Sequence, residues 1–124
     1  MHPIGYDRPM RRKDVTVLVQ LRLLPDCVEQ GKSDLLSFAR TVRKSEPECR
    51  AIEIAQDLDD PTRITMIEKW SSRDAYEGPH LQTPHMRSFV DRSGKYFDES
   101  VSVAFCRGTV IGGEDSGSVP PYGR

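Results

Sequence analysis

The sequence predicts an α+β domain in which an antiparallel sheet is covered by helices on one face. Three observations carry this. Four stretches alternate apolar and polar residues and are rich in β-branched side chains. Two other stretches repeat apolar residues at helical spacing. Caps, glycines and prolines fall at the joints between them. The resulting order is strand, helix, strand, strand, helix, strand. A length of 124 residues suits one domain.

The first strand spans residues 15–23. Val15, Val17, Val19, Leu21 and Leu23 share one face, and Thr16, Gln20 and Arg22 share the other with Leu18. Asp26 then fits a helix N-cap with Glu29 three residues on. Val28, Leu35, Phe38, Ala39 and Val42 form the apolar stripe of that helix, and Pro47 ends it. Residues 50–56 alternate again. The run 57–62, with Asp57, Asp59, Asp60 and Pro61, is turn chemistry, and its spacing is not that of an EF-hand loop. Residues 63–70 complete a hairpin with the preceding strand. Ser71 and Asp74 fit a second cap, and Gly78-Pro79 stops the short helix that follows. Thr83 caps the next helix with Pro84 at its first position, and Met86, Phe89, Val90 and Ser93 share a face. Residues 100–105 form the last strand, with Val101, Val103 and Phe105 on one side. This order is the ferredoxin-like split β-α-β arrangement. Residues 1–13 read as a flexible leader, 14–107 as the folded domain and 108–124 as a flexible Gly/Pro-rich tail. Within that tail, residues 109–111 have the composition to extend a strand.

Composition bounds the partners. The formal net charge is -1, so no field of one sign exists to hold nucleic acid. The cluster of Arg8, Arg11, Arg12 and Lys13 reads as a solvated tail. No apolar run reaches the length of a membrane span, and no signal-peptide pattern opens the chain. Cys27, Cys49 and Cys106 are odd in number and far apart, which fits reduced thiols of small buried type and a cytoplasmic location. A helix-free sheet face of mixed character invites a second copy, and a homodimer packed sheet to sheet is expected.

Four segments resemble the antibiotic biosynthesis monooxygenase family: residues 16–19 on the first strand, 46–49 before the second, 67–70 on the third, and 80–86, which read HLQTPHM. The last two look most like bacterial quinol monooxygenases. The resemblance spans about residues 14–107. It implies a dimeric α+β barrel that oxygenates a quinol or polyphenol with dioxygen, without metal, haem or flavin. Isomerases and proteins without known activity share the fold, so a non-oxygenase isomerase or lyase and a non-catalytic ligand-binding dimer stand as alternatives. Met66 occupies a position that is Asn in some phenol-oxygenating relatives, and Gln20, Leu21 and Val90 replace the residues of the haem-degrading branch.

The candidate site gathers around residues 66–89. Trp70 can stack on a flat ring and donate its indole N–H to a phenolic oxygen. Tyr76 can hold a substrate oxygen. His80, with an unperturbed pKa near ~6.5, is the first candidate for the base. Glu68 shares a strand face with Met66 and Trp70. If buried, it needs a raised pKa or a partner such as Arg22, or it acts as base instead of His80. His85, Phe89 and Met66 are candidate lining residues, and Arg22 or Arg87 a candidate for the substrate anion. A metal site is not expected, since His80 and His85 are five apart and no Cys or third His completes a set.

Overall fold

The computed structural model describes residues 13–112. Strand β1 (Val15–Arg22) leads through a single 3-10 turn (Pro25–Cys27) into helix α1 (Val28–Ser45). Strands β2 (Cys49–Gln56) and β3 (Arg63–Trp70) form a hairpin. Helix α2 (Arg73–Glu77), a second 3-10 turn (His80–Gln82) and helix α3 (Pro84–Ser93) follow. Strand β4 (Ser102–Cys106) closes the order. The sheet is antiparallel throughout, in the order β2-β3-β1-β4. This is the predicted ferredoxin-like α+β fold.

The register decides which side chains meet. Val15 stands opposite Trp70, Val17 opposite Glu68 and Val19 opposite Met66. Residues directly opposite in an antiparallel pair share a face. The helices cover that face. Val17, Leu35, Val42, Cys49, Ile64 and Trp70 lie at its centre with almost no exposure.

Helix α1 buries Leu35, Phe38, Ala39 and Val42, the stripe seen in the sequence. It also buries Gly31 against the end of β1 and the loop after α3. A Cβ there would stand 2.3 Å from Leu23 Cδ2 and 2.9 Å from Tyr96 Cβ. Any larger residue here would push Leu23 or Tyr96 aside, so close approach favours glycine.

Several local expectations shift. Asp26 lies inside the 3-10 turn rather than at an N-cap, and α1 begins after Cys27 with no side-chain cap. Cys27 donates instead to the Lys95 carbonyl. The cap of α2 is Ser72, whose oxygen accepts from Ala75 N–H, while Ser71 bonds Glu48. Val90 is 55% exposed because α3 turns only its Phe89 side inward. The last strand begins two residues late and ends at Cys106, and residues 109–111 extend no strand. Of the thiols, only Cys49 is buried, with its pKa pushed up to about 12 by burial and by the Glu68 carboxylate; Cys27 and Cys106 are partly exposed. The leader apart from Lys13, and the tail beyond Gly112, lie outside the described residues. Among the described residues, no helix is long and apolar enough to cross a membrane.

Candidate functional site

Strand β3 builds the floor of the site. Its alternation turns Ile64, Met66, Glu68 and Trp70 toward the helices, and all four are buried. The chain then reverses twice in a few residues. Gly78 ends α2, and its N–H donates back to Asp74. Pro79 leads into the 3-10 turn that carries His80 inward to 3% exposure. Thr83 locks this turn to α3, because its hydroxyl donates to the His80 carbonyl and accepts from Met86 N–H. Pro84 at the first helical position gives up no needed donor.

Three rings converge on this floor. The His80 ring lies 4.6 Å from Trp70 and 5.0 Å from Tyr76, and Trp70 and Tyr76 meet edge to face at 5.6 Å. Trp70 Nε1–H donates to Glu68 Oε1 at 2.8 Å. Burial raises Glu68 to about 7, with the nearby Glu46 charge adding to the rise and the indole hydrogen bond opposing it. Burial also raises the Tyr76 phenol well above its ordinary value, helped by Glu68.

Glu46 comes from the far end of α1. It is the residue after the last helical turn, and its backbone is extended ahead of Pro47, as a residue before proline prefers. Its N–H donates to Val42 and its carbonyl accepts from Cys49 N–H, so both backbone groups are fixed. The carboxylate lies 2.9 and 3.1 Å from His80 Nδ1 and 2.6 Å from His85 Nε2. Phe38 packs beside both imidazoles and stacks on Phe89 at 4.4 Å.

These contacts set the state of His80. Burial pulls its pKa below the ordinary value against the pull of Glu46, and His85 adds to the lowering. The neutral ring therefore prevails at neutral pH. Its partner fixes the tautomer: Nδ1–H donates to Glu46, and Nε2 carries the lone pair. A buried, oriented imidazole of this kind is equipped to accept a proton.

Of the residues singled out by sequence, Trp70, Tyr76 and His80 converge, with Glu68 and Met66 on the same floor. His85 joins through Glu46, and Phe89 stands behind Phe38. Arg22 does not take part. It sits at the other end of the β1–β3 ladder, opposite Arg63, and bonds Asp60 and Thr62. The anticipated Glu68–Arg22 pair is thus replaced by the Trp70 hydrogen bond. Arg87 is exposed, and its guanidinium donates to Gln82. Glu46 had no assigned role in the sequence reading, although its segment carried part of the resemblance. It also changes the metal argument, because it supplies a third donor: the ligand atoms of Glu46, His80 and His85 all lie within 4.8 Å of one another.

The ring cluster is packed rather than open. Trp70, Tyr76 and His80 are all buried among the described residues. A surface cleft of about 480 Å³ runs beside the cluster, with Val15, Arg73, Asp74 and Phe105 in its wall. Phe105 packs edge-on against Tyr76 at 5.6 Å, and the Arg73 guanidinium lies 4.2 Å over the Phe105 ring. Tyr76 therefore touches both the cleft wall and His80.

A model of the antibiotic biosynthesis monooxygenase family matches residues 14–92. No curated protein matches the chain. Solved structures match across most of it. A Bacteroides thetaiotaomicron protein, provisionally described as an antibiotic biosynthesis monooxygenase, aligns with a TM-score of 0.73 at 15% identity, covering 84% of this chain and 97% of its own. A Pseudomonas aeruginosa protein gives 0.70 at 22% identity, covering 82% and 98%. A conserved protein from Methanosarcina mazei Go1 gives 0.68 at 19% identity, covering 77% and 92%. At such identities these likenesses speak for the fold.

Proposed function

Since the chain belongs to the antibiotic biosynthesis monooxygenase family, we propose that it is a monooxygenase acting on a quinol or related polyphenol, with His80 as the base. The observation that carries this reading is the oriented His80 imidazole, backed by Glu46 and enclosed by Trp70 and Tyr76. His80 Nε2 takes a phenolic proton. The resulting anion passes one electron to dioxygen, and the radical pair recombines at a ring carbon. Loss of water then leaves an oxygenated quinone, so a quinol and one dioxygen become a hydroxyquinone and one water. The substrate supplies all four electrons that reduce the two oxygen atoms. The protein's part is to bind the ring, hold the proton and keep bulk water from the anion.

The cleft beside Phe105 is the proposed approach for the substrate, and Tyr76 is the side chain that must yield to bring a ring to His80. The helix-free sheet face is the proposed interface of a homodimer.

Oxygen uptake with a panel of reduced naphthoquinones and catechols tests the activity. Wild type should stimulate uptake with at least one of them, and His80→Ala should lower that rate by roughly a hundredfold, the ordinary share of a general base. Equal rates for the two proteins across the panel would overturn the assignment of His80.

The closed packing of the ring cluster favours a second reading, a non-catalytic ligand-binding dimer. Thermal-shift measurements separate the two. Stabilisation by the same phenols without any oxygen uptake supports the second reading.

A further inference from the structure

Glu46, His80 and His85 arrive from three different elements: the end of α1, the 3-10 turn and the first turn of α3. They place one carboxylate and two imidazoles in a single small volume. We propose that these three side chains form a binding site for a divalent first-row transition metal such as zinc.

The donor chemistry fits. Two neutral imidazoles and a carboxylate are a frequent three-ligand set for such ions, and they leave a further position for water or another ligand. Metal–ligand bonds of about 2.0–2.2 Å place neighbouring ligand atoms roughly 3–3.5 Å apart. Here Glu46 lies 2.6 Å from His85 Nε2 and 2.9 Å from His80 Nδ1, and no pair among the three exceeds 4.8 Å. To seat an ion, the Glu46 carboxylate has to turn away from its present 2.6 Å contact with His85. The surroundings suit it as well. Phe38 walls off both imidazoles, Phe89 backs Phe38, and the Glu46 backbone is pinned at both its N–H and its carbonyl. Such a shell orients ligands and limits solvent access. His85 is the most accessible of the three, with 18% of its side chain exposed, and marks the way in.

Binding has a chemical consequence. Without metal, Nδ1–H of His80 donates to Glu46 and Nε2 holds the lone pair. A metal on Nδ1 displaces that proton. The neutral ring then carries its hydrogen on Nε2, which becomes a donor and can no longer accept a proton. One set of side chains thus supports two exclusive states, and the metal-bound one silences the base. This consequence rests on the role of His80 proposed above, whereas the binding itself does not.

Cobalt(II) and zinc(II) added to the full chain provide the test. Cobalt should give a saturable visible absorption band at one ion per chain, displaced by zinc. His85→Gln and Glu46→Gln, each verified as folded by its thermal melt, should weaken cobalt binding at least tenfold. All other donors of the chain remain in every variant, so equal binding by wild type and variants would place the ion elsewhere and overturn the site. Absence of a saturable one-to-one signal would overturn it too. A second readout needs no variant: nitrogen–proton correlation spectra of wild type should show the His80 proton move from Nδ1 to Nε2 on adding zinc. An unchanged pattern would count against the site. If zinc binds but no phenol is ever oxidised, the oxygenase reading fails while the metal site stands.

Discussion

Glu68 is a carboxyl group with almost no water around it, and it accepts a hydrogen bond from the Trp70 indole N–H. Its folded-state pKa is about 7 against an ordinary 4.5. The folded protein therefore holds a proton that the unfolded chain releases first. The stability this contributes is complete below about 4.5, declines as pH rises and is lost through about 7. The swing is on the order of 3 kcal/mol. Glu68→Gln keeps an acceptor for Trp70 and removes the charge. Thermal melts from pH 5 to 8 should show the variant gaining on wild type as pH rises, and a constant difference would refute the buried-carboxyl account. The sequence made Glu68 legible as a residue needing either a partner or a raised pKa, and the second alternative holds. It did not reveal Glu46. Nothing local marks a carboxylate at the end of a helix as the partner of histidines 34 and 39 residues later. That link depends on the β2–β3 register, which sets Cys49 opposite Trp70 and so brings the end of α1 to the ring cluster.

At the level of elements, periodicity was the readable signal and termini were the weak one. The α1 stripe and β3 emerge directly from spacing, because burial of a repeating face dominates both. The start of α1 does not. Pro25 and Asp26 form a 3-10 turn there, and the helix starts without a side-chain cap. Gly31 is the other feature spacing cannot show, since a mid-helix glycine looks merely unfavourable in sequence. The structure supplies its reason: α1 approaches Leu23 and Tyr96 too closely for a methyl group. Gly31→Ala gains up to about 1 kcal/mol of helix propensity but overpacks this contact at a cost of roughly 1–3 kcal/mol. A net loss is expected in urea unfolding, seen as a lower midpoint at unchanged slope. A higher midpoint would show that Leu23 and Tyr96 yield easily.

Across the whole molecule, the two sheet faces differ in kind. One holds the core and the ring cluster. The other carries Thr16, Leu18, Thr65, Ile67, Lys69 and Ala104, as the β1–β3–β4 register shows, and among the described residues no helix covers it. Lys69 bonds Thr16 across it. Light scattering after size exclusion should give twice the chain mass, and Leu18→Glu should shift the protein to a monomer. A stable wild-type monomer at micromolar concentration would remove the dimer. The architecture was readable in the sequence because alternation and turn chemistry agree from end to end. The closure of the ring cluster was not, since packing density has no signature in residue order. The same closure gives the protein an optical property. Its single Trp stands 4.6 Å from the His80 ring, so all of the chain's tryptophan emission originates at the candidate site. Imidazolium accepts an electron from excited indole far better than neutral imidazole does. Fluorescence should therefore dim as acid charges His80, with a midpoint below the usual histidine value, and His80→Ala should abolish that inflection.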